Sequence, residues 1–347
     1  MTAFREGSEL IRASRAFAQE DARRTWQLFG TTLLASGALF AASLFEAFGP
    51  LRWVFAVVQG LVIVRVFIFF HDALHGAIFR KDKLGHALMA IYGVFVLTPV
   101  IVWRDSHNYH HAHTSKLVGS SIGSYPIVTK RMYAMMTPTQ RFMYRFIRHW
   151  ATILFGYVFL FLVGMVLQPL VKQPKRYWSA ALVLVGHYAI LGALVMTTGW
   201  ETAIVAYLVP VFVACAVGSY LFYAQHTFEG VELRDRRNWE YTAAALRSSS
   251  MMDMGPVMHW FTGNIGYHHV HHLNSMIPFY RLPEAMAAIP ELQSPRRTSL
   301  ALREILHCLG IHVWDPAQQR MISFREADAA VSSTETSPPG DAALRPQ

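Results

Sequence analysis

Near the end of the chain, "GNIGYHHVHHL" (Gly263 to Leu273) places four histidines in five positions. Side chains three and four positions apart are neighbours on a helix, so His268, His271 and His272 would share one face. The stretch "HNYHHAHT" (His107 to Thr114) repeats the pattern with His107, His110 and His111. "HDALHG" adds His71 and His75, four apart, and "FYAQHTFEG" carries the solitary His226. Imidazoles aimed to one side at these spacings are metal-ligand chemistry. The nine candidates exceed the four ligands that one zinc takes, so two metal ions are the economical reading. Imidazole suits zinc, copper, iron and nickel. Two cysteines and no dense carboxylate set argue against sulfur clusters and against calcium or magnesium.

These groups need elements that bring them together, and the composition says what kind. The chain has 347 residues, 53% hydrophobic and 15% charged, where a soluble protein carries about 25% charged residues. Six apolar runs approach the roughly 20 residues that a membrane-crossing helix needs: Trp26 to Phe48, Trp53 to Phe70, Leu84 to Trp103, Trp150 to Leu167, Trp178 to Thr198 and Ala203 to Tyr223. An integral membrane protein, all-α, is expected. The formal charge of +9 does not point to nucleic acid, because the positives flank the apolar runs instead of forming one stripe. Arg23 and Arg24, Arg80 to Lys83, Lys172 to Arg176 and Arg234 to Arg237 would all be cytoplasmic by the positive-inside rule. The nearly uncharged joints "FGPLRW" and "TTGWET" then read as external turns. The first 25 residues lack the apolar core of a removable signal peptide.

Parity constrains the topology. If Leu84 to Trp103 spanned fully, the first two histidine groups would face opposite sides and could not share a site. Thr98 and Pro99 interrupt that run, and proline removes a helix hydrogen bond, so it reads as re-entrant or interfacial. Trp150 to Leu167, flanked by cations on both sides, reads as the second such segment. The expectation is four transmembrane helices in two hairpins, two interfacial or re-entrant segments, and a cytoplasmic helical cap carrying the histidines. The divisions are a cytoplasmic segment over 1–25, a membrane domain over 26–323 and a disordered tail over 324–347, the last Pro- and Ser-rich.

With these motifs in this order, the chain resembles membrane fatty acid desaturases, nearest the bacterial acyl-lipid delta-12 or omega-6 branch. The resemblance covers roughly residues 30 to 290. It implies two non-haem iron ions held by His71, His75, His107, His110, His111, His226, His268, His271 and His272. It also implies a reaction that uses dioxygen and two external electrons to remove two hydrogens from neighbouring methylenes of a fatty acyl lipid or acyl-thioester, leaving a cis double bond. The implied electron donor is ferredoxin-like, or cytochrome-type with its reductase. A bacterial inner membrane with a cytoplasmic active site fits. Leu74 stands where many relatives have a small residue, and His113 and His269 are extra to the boxes.

Several residues carry weaker expectations. His113 and His269 point away from their boxes and are expected to support the site or meet solvent. Asp72 is a candidate to accept the second ring proton of His71 and so fix its tautomer, and Asn264 is a weaker candidate of that sort. His187, mid-span, is expected to hydrogen-bond between helices. His86, His149, His259, His307 and His312 lack pairing and are given no role. Arg65 is expected to snorkel to the interface or meet a headgroup. The rival functions are a related di-iron monooxygenase acting on an alkane, sterol or carotenoid, and a metal transporter or haem-binding carrier. The second class needs histidines along or across the bilayer, and only His187 lies there.

Overall fold

The computed structural model describes residues 5–335, with side chains through residue 330. The elements that frame the site are helices α1 (Gly7–Ser14), α2 (Ala22–Leu44), α3 (Leu51–His75), α4 (Lys83–Phe95), α5 (Val100–His113), α6 (Tyr157–Lys172), α7 (Ser179–Ala224), α8 (Tyr241–Arg247), α9 (Gly255–Phe261), α10 (His268–Leu273) and α11 (Phe324–Glu335). By length and composition α2, α3 and α7 are apolar enough to cross a membrane, and α4 with α5 makes a fourth candidate if the bent pair is one span. The fold is mostly helical. The expectation of an all-α chain is corrected by four three-residue strands: Met251–Asp253 pairs in parallel with Arg297–Ser299, and Val313–Asp315 antiparallel with Arg320–Ile322. Each is too short to have left an alternating pattern in the sequence.

Helices α2 and α3 run antiparallel, joined by polar contacts through an otherwise apolar seam. Arg52 Nε donates to the Ser43 carbonyl (2.8 Å), Gln59 Nε2 to Ser36 Oγ (2.8 Å) and Arg65 Nε to Thr32 Oγ1 (3.0 Å). Arg65 therefore does not snorkel. It is buried, gives a second bond to the Trp260 carbonyl, and lies 4.5 Å from the Trp260 ring centroid. Gly76, at φ 72°, ends α3 one residue after His75, a left-handed conformation that glycine adopts without a Cβ clash.

The break between α4 and α5 has a local cause. Pro99 has no N–H to give the Phe95 carbonyl four residues back, and the two helices meet at 94°. His187 from α7 takes over that carbonyl at 2.9 Å through Nδ1, while its Nε2 lies 3.0 Å from the Tyr157 hydroxyl of α6. The expected interhelical role of His187 is thus what the structure contains. Gly199, at φ 81° and ψ 167°, divides α7. His187 Nδ1 lies 3.1 Å from the Tyr207 hydroxyl, whereas 20 residues of unbroken helix would span about 30 Å, so the chain turns back there.

The disordered tail expected from Phe324 is corrected over its first part. Residues Phe324–Glu335 form α11, because Phe324 has a place to pack: its ring stacks on His312 at 4.0 Å, and Asp328 meets the Tyr133 hydroxyl and Arg145. The remainder of that expected tail, 336–347, lies outside the described residues.

Candidate metal centre

Four elements deliver the histidines. Helix α3 ends at His71 and His75, and α5, turned by the Pro99 break, carries His107, His110 and His111 on one side. The turn after α7 carries His226, and the short α10 carries His268, His271 and His272. Their ring nitrogens converge into two groups, in each of which the possible ligand atoms lie within 4.8 Å of one another. One group is His71, His75, His107, His111 and His271; the other is His110, His226, His268 and His272. All nine expected residues are brought together. The groups adjoin: the His111 and His272 rings stack across the divide at 4.2 Å.

Within the first group the Nε2 atoms of His71 and His107, of His107 and His111, and of His111 and His271 are 3.1, 3.1 and 3.0 Å apart. Within the second, His110 to His226, His226 to His268 and His268 to His272 are 3.0, 2.9 and 3.1 Å. Three rings have the other nitrogen committed. His71 Nδ1 donates to Asp72 Oδ1 (2.8 Å), and His226 Nδ1 to the Ser248 carbonyl (3.0 Å). Thr114 Oγ1 gives its own proton to the His110 carbonyl (2.7 Å) and so accepts from His272 Nδ1 (3.4 Å). A neutral imidazole has one N–H, so these three present bare lone pairs inward. His75 Nε2 is buried with no hydrogen-bond partner among the described residues. A crowd of inward lone pairs is repulsive unless a cation lies among them, so the donor set fits metal ions that favour nitrogen.

Electrostatics agree. Burial pushes His226 down to about 4 and holds His268, His271 and His272 well below the ordinary imidazole value, with neighbouring rings adding to the shift. They are neutral at pH 7, the state a ligand needs. Trp103 stacks on His107 at 4.2 Å and shields that side.

The supporting residues divide. Asp72 meets its expectation, and its second oxygen accepts from the Phe279 amide at 2.7 Å. Asn264 reaches the Phe279 carbonyl (3.2 Å) and not a ring. His113 stacks on Tyr109 at 3.9 Å, and His269 bonds through Nε2 to the Leu292 carbonyl at 3.1 Å; neither belongs to the two groups. His86, His149, His259, His307 and His312 also lie outside them. Sequence reasoning missed Ser248, which acts through its carbonyl and so leaves no side-chain signal. It missed Thr114 as well, although that residue stands one helical turn after His110.

Comparison with known proteins supplies the identity of this arrangement. A fatty acid desaturase from Bacillus subtilis (strain 168) is 29% identical over 320 residues, covering 91% of this chain and 90% of that protein. An sn-1 acyl-lipid omega-3 desaturase (ferredoxin) from Nostoc sp. (strain 36) is 27% identical over 274 residues, 75% of this chain and 73% of its own. An sn-1 oleoyl-lipid 12-desaturase from Anabaena variabilis is 24% identical over 253 residues, 70% and 69% of the two chains. The family model for fatty acid desaturase matches residues 48–301, a stretch that contains every histidine of both groups, and the chain belongs to that family of oxygen-dependent oxidoreductases.

Proposed function

We propose that each histidine group holds one iron ion and that the enzyme places a cis double bond in an acyl-lipid chain, as a desaturase of the delta-12 or omega-6 type. The observation that carries the metal assignment is the convergence of nine imidazoles, three of them with the inward lone pair fixed by a bond at the other nitrogen. Bound iron would supply the dioxygen chemistry needed to break unactivated C–H bonds, for which no side-chain base suffices. The chain's own part is different. Asp72, Ser248 and Thr114 fix which nitrogen of His71, His226 and His272 is free, and Trp103 and the buried helix ends keep water from the rings. Both 12- and omega-3 desaturases are among the similar proteins, so the test must read double-bond position.

In this reading α2 with α3, and the two limbs of α7, are hairpins through a bacterial inner membrane. Helices α4 and α5 form a re-entrant segment, and α6 lies in the interface. Residues 26–323 then form one membrane domain whose histidines sit under a cytoplasmic cap. The 94° bend and the cations at Arg80, Lys172 and Arg234 support this arrangement, as does the bond from Gly7 N at the start of α1 to Thr242 Oγ1 of α8. The electron donor is ferredoxin-like or cytochrome-type; the name of the Nostoc relative includes ferredoxin.

The experiment is expression in a host lacking polyunsaturated lipids, with chromatography and double-bond mapping of its fatty acids with and without oxygen. A new double bond that requires oxygen is expected. A new hydroxyl in its place would make the enzyme a monooxygenase.

A further inference from the structure

We propose that the face formed by Lys116, Arg234, Arg236, Arg237 and Arg247 is the docking surface for an acidic one-electron donor protein, with Trp239 beneath it as the entry point to the four-histidine group. The proposal rests on the desaturase reading and adds where the electrons enter.

Two of the four rings in that group, His226 and His272, are tied to this one face, and His110 is tied to it through its backbone carbonyl. The Ser248 carbonyl that holds His226 belongs to a residue whose hydroxyl donates to the Glu232 carbonyl at 2.5 Å. Thr114, whose hydroxyl touches both His272 and the His110 carbonyl, accepts the Trp239 indole N–H on its own carbonyl at 2.8 Å. Tyr241 donates to the His272 carbonyl at 2.7 Å. From the half-buried indole to His272 the route therefore crosses two hydrogen bonds and one residue. The supports of the five-histidine group run elsewhere, to Asp72, Phe279 and Trp103.

The surface above is built as one piece. The segments at Lys116 and Arg234 pair, with Leu117 N bonded to the Arg234 carbonyl (3.0 Å) and Arg234 N to the Ser115 carbonyl (3.1 Å). Lys116 Nζ lies 3.9 Å above the Trp239 ring. Arg234, Arg236, Arg237 and Arg247 are exposed. The local carboxylates are engaged: Glu232 with Arg234 and Arg247, Asp235 with the backbone of Arg237 and Asn238, and Glu240 with the start of α8. Five cations against three committed carboxylates leave a positive patch, which steers an acidic partner.

The electron count requires such a partner. Reducing one dioxygen to two waters takes four electrons. Two come from the two C–H bonds that are lost as the double bond forms. The other two arrive singly from the donor, which is oxidised, with two protons from water. The indole lies on the route and is unchanged at the end.

The test uses full-length protein in lipid nanodiscs and a reduced acidic [2Fe–2S] ferredoxin as probe. Its affinity is measured on iron-free and iron-loaded protein, and turnover driven by ferredoxin is divided by turnover driven by dithionite in the same sample, so that lost folding or iron cancels. The double substitution Arg236→Glu with Arg237→Glu is expected to weaken ferredoxin binding at least tenfold, whereas Lys172→Glu with Lys175→Glu leaves it within twofold. At saturating ferredoxin, Trp239→Leu is expected to lower the turnover ratio at least tenfold. Unchanged affinity in the arginine pair, equal loss in the lysine pair, or an unchanged ratio for Trp239→Leu would each overturn the proposal. Absence of any double bond in the wild type driven by reduced ferredoxin as well as by dithionite, with dioxygen kept in excess, would instead remove the desaturase reading, while the affinity comparison still decides the docking face.

Discussion

Asp72 stands between two donors, the His71 ring N–H and the Phe279 amide, so both of its oxygens must accept. Asparagine at this position keeps the shape but turns one acceptor into a donor, facing it with an N–H. Asp72→Asn is expected to weaken iron binding about 10–100-fold, read by titration of the stripped protein with ferrous ion; wild-type affinity would mean that the tautomer of His71 is not set here. Alanine at His71, His107, His111, His226, His268 or His272 is expected to abolish desaturation, while alanine at His113 or His149, whose contacts are with Tyr109 and with the backbone of Ala151, leaves most of it. Equal tolerance at both sets would discredit the site. The spacing made the nine rings legible, because three- and four-residue intervals can be read without coordinates. Support through the Ser248 carbonyl was not legible, since any residue there has a carbonyl.

Elements aim the rings, and two contacts carry much of that aim. A Cβ on Gly60 would stand 2.6 Å from Val213 Cβ and 2.9 Å from the Pro210 carbonyl, so α3, which holds His71, approaches α7, which leads to His226, as closely as backbones allow. Gly60→Val is expected to destabilise the protein by about 1–3 kcal/mol through overpacking, seen as a lower midpoint of thermal unfolding in detergent. His187 closes the break at Pro99 from a third helix, and His187→Leu would leave the Phe95 carbonyl only the longer 3.5 Å bond from the Tyr207 hydroxyl. That substitution is expected to cost about 1–3 kcal/mol, with His187→Gln recovering part of the loss; equal midpoints for the wild type and the leucine variant would show the carbonyl satisfied otherwise. The break itself was readable from Thr98 and Pro99, and the need for it from parity. Its partner was not, because His187 and Phe95 are 92 residues apart and only packing joins them.

At the scale of the whole molecule, the first and last described segments pack against distant parts of the chain. Arg5 pairs with Glu291 at 2.9 Å, and α11 packs through Phe324 on His312. Burial, reinforced by Arg148 and Arg145, pushes His312 down to about 3. The folded chain keeps that ring neutral while the unfolded chain takes up a proton below about pH 6.5. Stability contributed this way is complete above that pH and falls toward pH 3, by at most about 1.4 kcal/mol per pH unit. His312→Phe is expected to flatten the acid limb of stability against pH by up to one proton; an unaltered slope would place the uptake elsewhere. Composition hid this closure. Phe324 begins a stretch that reads as disordered, yet its ring has a partner in His312, and sequence pattern does not see a partner that comes from a separate segment.

Iron counted per chain, together with its X-ray absorption spectrum, in protein purified without added chelator tests the two histidine groups most directly. Expected are two ions per chain, one for each histidine group, with nitrogen and oxygen neighbours and no sulfur or haem signature, and with His226→Ala and His268→Ala each losing iron. A stoichiometry near zero after loading with ferrous ion, or full occupancy retained in both variants, would contradict the metal assignment.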